Sequence, residues 1–115
     1  MLRAVAGVLL MFAPLAGCGE ADEFAQSAAD QHDCRHVDND PLKAIAACSR
    51  LIYANDKRLM TEASARYHRG LAFEHHHDWQ HAKEDYKRAL KLDPADSFSQ
   101  QRLADLEHDG RITGD

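Results

Sequence analysis

The run from Ala63 to Pro94 constrains this chain more than any other part of it. Small and aromatic residues recur there at Gly70, Phe73, Ala82, Tyr86 and Ala89, a polar break falls at His76-His77-Asp78, and Pro94 closes the run. The spacing predicts a helix–turn–helix repeat of about 34 residues. Small residues let its two helices approach, and the aromatic rings fill the space beside them. Such a hairpin cannot bury its apolar face alone, so it needs further helices against it. A chain built this way presents a surface, which points to holding a partner and away from transforming a substrate.

The flanking sequence supplies those helices. Asp40-Pro41 is a strong helix start, an N-cap followed by a proline in the first turn, where its missing N–H has no bond to lose. Apolar residues at Leu42, Ile45, Ala46, Leu51 and Ile52 then keep a helical period to about Tyr53. Asn55-Asp56 breaks this helix and can cap the next, expected from Lys57 to His76. Asp78 caps a third, Trp79 to Leu92, and Asp93-Pro-Ala-Asp96 turns into a fourth, Ser97 to about His108. Gly110 stops that helix, and residues 110–115 are expected to fray. Ala44, Cys48 and Leu51 repeat the spacing of Ala82, Tyr86 and Ala89, so a decayed repeat precedes the full one. No stretch alternates as a strand does. The expected fold is all-α, antiparallel hairpins of about four helices over residues 39–109.

The first 17 residues read differently. Arg3 supplies a positive start, and Ala4 to Leu15 is an apolar stretch too short for a spanning helix, which needs roughly 20 residues. It suits the hydrophobic core of a secretory signal. The stretch ends in Leu15-Ala-Gly-Cys18, which is similar to a bacterial lipoprotein box. That resemblance implies a signal peptide over residues 1–17 and a lipid, palmitate included, on Cys18. Residues 18–38 then read as a lipid-anchored tether and a short polar segment. Gly19, where an Asp would suggest inner-membrane retention, favours the outer membrane, with the folded part facing the periplasm.

Removal of Arg3 with the signal would take the net charge from −5 to −6. An acidic surface argues against nucleic acid, whose phosphates need clustered Lys and Arg. With Cys18 lipidated, Cys34 and Cys48 are left as an even pair in an oxidising compartment, and we read them as a disulfide. It would close a loop of about 15 residues and stabilise the fold by about 3 kcal/mol in the chain-entropy model. The competing reading takes His32, Cys34, His36 and Cys48 as four zinc ligands, although His-x-Cys-x-His is an uncommon chelate spacing.

The stretch Ala63 to Pro94, with Tyr67-His-Arg-Gly70 in its first helix, resembles the tetratricopeptide repeat (TPR) family. Asp40-Pro-Leu-Lys-Ala-Ile-Ala-Ala-Cys-Ser-Arg-Leu-Ile52 resembles the opening of small exported TPR proteins. The resemblance implies packing roles for Gly70, Phe73, Ala82, Tyr86, Ala89 and Pro94. It also implies a concave face lined by the first helix of each pair, where extended peptides dock. Here that face would hold Tyr67, Leu71, Glu74 and His75 with Phe98, Gln101 and Asp105, and it lacks the Lys and Arg of a carboxylate-clamping TPR. In a hairpin turning near residue 77, Arg69 comes level with Asp85 and can pair with it. His76-His77 stands where the family has Leu-Gly, so a non-glycine residue is expected at positive φ.

His75, His76, His77 and His81 are the remaining chemical candidates. Consecutive helical side chains diverge by about 100°, so three cannot share one ion, and the turn falls between His77 and His81, the best-spaced pair. No nucleophile elbow, zinc-protease helix or phosphate-cradling loop is present, so no enzyme and no cofactor is expected. The expected function is a lipid-anchored periplasmic adaptor or assembly accessory for a protein or peptide partner, completed in one variant as a homodimer. The alternative is a His-rich periplasmic metal-binding protein.

Overall fold

A computed structural model describes residues 14–55 and 57–114, with side chains from residue 19 onward. The apolar stretch before residue 14, the Cys18 side chain, Asp56 and Asp115 lie outside the described residues. Five helices follow one another: α1 (Pro14–Arg35), α2 (Pro41–Ala54), α3 (Glu62–His75), α4 (Trp79–Leu92) and α5 (Ser97–His108). Each packs on its neighbours in the chain, and α1 also touches α3. Among the described residues there is no strand. The fold is all-α and built of helical hairpins: α1 with α2, α3 with α4, and α5 closing the stack.

Polar caps set the helix boundaries. Asp40 accepts from Lys43 N at 3.1 Å, Asp78 from His81 N at 3.2 Å, and Asp96 from the amides of Phe98 and Ser99 at 3.1 Å. Helix α2 ends on Asn55 at φ 55°, and the α3–α4 turn puts His77 at φ 60°. The positive φ expected at the His76-His77 turn therefore falls on His77. Glycine would meet this backbone without the Cβ conflict that His77 carries.

Three boundaries depart from the sequence reading. Helix α3 begins at Glu62, five residues later than expected. Thr61 accepts from Ser64 N at 3.1 Å and so starts the helix, while the Leu59 carbonyl is engaged by Gln31 Nε2 at 2.7 Å. The segment read as a tether is helical through Arg35, and its last turns bury Asp30 and Cys34 against α2. The folded unit thus begins before residue 39, and α2 gains the helical partner that the decayed repeat lacked. At the other end, residues 111–114 turn back onto the body instead of projecting from it. Arg111 lies over the Trp79 ring at 4.5 Å, and Ile112 packs on the cluster of Ala82, Tyr86 and Leu106.

The core is thin and made largely of small side chains. Cys34, Ala47, Cys48, Leu51, Ile52, Met60 and Ala65 fill the space among α1, α2 and the start of α3. The sulfurs of Cys34 and Cys48 are 2.03 Å apart, at disulfide distance, with the two Cα atoms 4.9 Å apart. Between α3, α4 and α5 the fully buried Tyr86 is the centrepiece. A Cβ placed on Gly70 would sit 2.5 Å from Tyr86 Cε1, so this glycine is what admits the ring.

Candidate functional site

The face shared by α3 and α5 divides into an open half and a knitted half. In the open half, Tyr67 and Phe98 stand together with ring centroids 5.8 Å apart, and Phe98 is 68% exposed. They border a cleft of about 420 Å³. Ser64, Tyr67 and His68 of α3 form one wall, with Asp93, Asp96 and Phe98 opposite. Thr61, the α3 cap, lies at its end. The geometry follows from the fold: α4 crosses behind, and the Asp93–Asp96 turn brings the start of α5 beside the first turns of α3.

The knitted half holds most of the other residues proposed for this face. Glu74, with a side chain only 10% exposed, receives hydrogen bonds from Arg102 at 3.0 and 2.5 Å and from the Tyr86 hydroxyl. Burial first, and then the carboxylate of Glu74, raise the Tyr86 hydroxyl far above the ordinary tyrosine range. The hydrogen bond to Glu74 likewise raises the Arg102 guanidinium, which stays charged at any ordinary pH. Arg102 also reaches Asp105 at 3.0 Å, and Gln101 donates to Asp105 at 2.8 Å. Leu71 packs into the core, and His75 pairs with Asp38 at 3.0 Å. The structure thus brings Tyr67 and Phe98 together at an accessible site and commits Leu71, Glu74, Gln101 and Asp105 to internal contacts. Those side chains hold the face in shape.

The expected Arg69–Asp85 pair is present and buried, with Nε to Oδ2 at 2.7 Å and Nη2 to Oδ1 at 2.8 Å. Arg66 adds a third contact to Asp85 at 3.2 Å, and Arg69 Nη1 donates to Ser49 Oγ on α2 at 2.9 Å. This network joins α2, α3 and α4.

Two features were not singled out from the sequence. Asp30 and Arg50 make a forked pair at 2.8–3.1 Å that fixes α1 on α2. His68, on the α3 wall of the cleft, has Nδ1 shielded from solvent and without a hydrogen-bond partner. Its burial, with the nearby positive charge of Arg35, lowers its pKa from the ordinary histidine value. A polar residue at a helix-interior position facing apolar neighbours was the available signal for His68; for Asp30 nothing local marked it.

The histidines of the α3–α4 turn spread apart. His81 bonds to Asp78 at 2.7 Å and stacks on Phe73, while His77 sits edge-on to Trp79. Cys34 and Cys48 face each other in the core, and His32 stacks on His36 at the exposed end of α1. The four residues weighed as a zinc set are therefore split between interior and surface. Among the described residues no group of three or more His, Cys, Asp or Glu side chains is arranged to hold a metal ion. None of the described helices is long and apolar enough to cross a membrane.

Comparison with known families agrees with this architecture. Residues 63–96, comprising α3, its turn, α4 and the approach to α5, match the tetratricopeptide repeat model. No curated protein and no solved structure matches the chain. TPR domains are typically interaction modules without catalysis of their own. The matched segment coincides with the hairpin whose packing turns on Gly70 and Tyr86, so the chain carries one tetratricopeptide repeat at residues 63–96.

Proposed function

We propose that this protein is a non-catalytic docking module, held at the periplasmic face of a bacterial membrane by a lipid on Cys18. It engages a protein partner through the open half of the α3–α5 face. The observation that carries the docking reading is the accessible pair of Tyr67 and Phe98 beside a cleft of about 420 Å³. Phe98 joins Tyr67 in one aromatic patch at the mouth of the cleft, the kind of surface that protein contacts favour. Supporting the location is the order of the N-terminal residues: a basic start, an apolar core, then Leu15-Ala-Gly-Cys18. Gly19 favours delivery to the outer membrane.

Two experiments test the two parts separately. A photo-crosslinking residue at position 98 of the full chain, in its native membrane, should trap a discrete protein. The same residue at Glu84, on the outer side of α4, should not. Equal trapping at both positions, or none at 98, would overturn the assignment of the face. Metabolic labelling with a fatty-acid analogue should mark the wild type and leave Cys18→Ser unmarked, and that variant should leave the membrane fraction. A labelled Cys18→Ser protein would refute the anchor.

A further inference from the structure

We propose that the α3–α5 cleft takes a basic segment of its protein partner, with a Lys or Arg stem lying on Phe98 and Tyr67 and its charge beside Asp93. This deepens the docking reading above and rests on it.

Three observations select that occupant. The first is the sign of the walls. Asp93 and Asp96 stand on one side, and no Lys or Arg lines the cleft among the described residues. Asp96 is spent on the start of α5, accepting from the amides of Phe98 and Ser99 and from Ser99 Oγ at 2.5 Å. The Asp93 carboxylate accepts from Ala95 N at 3.2 Å and is exposed, so it retains acceptor capacity for a cation. The second is the aromatic pair. Phe98 and Tyr67 are tilted by 41° to one another and leave ring surface open, on which a guanidinium or ammonium is held by the ring quadrupole. The third is what the surrounding cations already do. Arg102, the nearest cation on α5, is bound by Glu74 and Asp105 and is not aimed into the cleft. A long basic side chain matches this arrangement along its length, apolar stem on the rings and charge at the carboxylate. A C-terminal carboxylate would meet Asp93 and Asp96 with no Lys or Arg in the lining to compensate. The size agrees, since about 420 Å³ is at the low end of ligand clefts and suits one or two side chains of an extended segment.

The test is a peptide-display selection on the full chain in detergent, followed by fluorescence-anisotropy titration of the enriched peptides. Enrichment of Lys or Arg beside an apolar residue is expected. Affinity should fall about fivefold or more for Asp93→Lys and for Phe98→Ala, and should weaken with added salt for the wild type. Asp93→Asn keeps a side-chain oxygen for the Ala95 amide, so it should keep the wild-type melting temperature and weaken binding through charge alone. Neutral or acidic peptides that bind and are lost on Phe98→Ala would sink the basic occupant and leave the docking face standing. Peptides indifferent to Phe98→Ala, or no enrichment, would sink both. A dimer by light scattering that dissociates on Phe98→Ala would assign the cleft to a second copy of the chain and overturn the proposal.

Discussion

At residue scale, the hairpin depends on a glycine and a buried ion pair. Gly70 faces the Tyr86 ring, and a methyl group there has no room unless the ring or its helix shifts. Gly70→Ala gains helix propensity of up to about 1 kcal/mol, yet overpacking of this kind costs about 1–3 kcal/mol. We expect net destabilisation, read as a lower midpoint in thermal or urea unfolding. Asp85 answers both Arg69 and Arg66, so Asp85→Ala leaves buried positive charge without its partner. A loss of about 3–5 kcal/mol is expected in denaturant unfolding. Replacing Arg69 and Asp85 together by Met and Leu should recover much of it. His68 makes the stability pH-dependent. Its pKa is lowered in the fold, so the unfolded chain takes up its proton first as the pH falls. The stabilisation from neutral His68 is complete above the ordinary value near 6.5 and is lost as the pH drops through the folded value. Urea midpoints between about pH 7 and 5 should fall more steeply for the wild type than for His68→Gln.

At element scale, helices α2, α4 and α5 were legible from their caps, whereas the start of α3 and the whole of α1 were not. Asp40-Pro41, Asp78 and Asp96 each mark a start in the sequence, and α2, α4 and α5 begin where those residues predict. Thr61 is as good a cap as any of these, but Asn55-Asp56 offered an earlier start and drew the boundary forward. Helix α1 had no such mark. Its sequence is small and acidic with little amphipathic pattern, and what seats it is tertiary: Cys34 on Cys48, Asp30 on Arg50 and Gln31 on the Leu59 carbonyl. None of these partners is near in sequence. At the site, Tyr67 and Phe98 were legible as aromatics of first helices on the expected concave face, whereas the loss of Glu74 to Arg102 depended on a partner 28 residues away. The seating of α1 has a measurable consequence. Reduction, or Cys34→Ser with Cys48→Ser, should cost about 3 kcal/mol. Hydrogen exchange should rise first in the last turns of α1 and only later in α3 and α4. Uniform exchange across all five helices would show that the crosslink does not govern α1.

At the scale of the whole molecule, two hairpins and a closing helix are fewer units than a repeat array needs to stand alone. The shortfall is met at both ends. The Cys34–Cys48 contact and the Asp30–Arg50 fork fix the first hairpin, while Ile112 and Arg111 fold the tail over the last core cluster. What lies between the ends is the Arg69 guanidinium, which bonds Ser49 on α2 while it pairs with Asp85 on α4. A single planar group therefore spans the seam between the first hairpin and the second. Stacked repeats ordinarily melt unit by unit, because each touches only its neighbour. Here opening the seam takes the Ser49 hydroxyl from a buried guanidinium that stays paired with Asp85. Calorimetric and van't Hoff enthalpies of unfolding should accordingly agree for the wild type and diverge for Ser49→Ala with Arg69→Met. The buried arginine thus ties α2 to the α3–α4 hairpin, and the two hairpins are expected to unfold as one cooperative body.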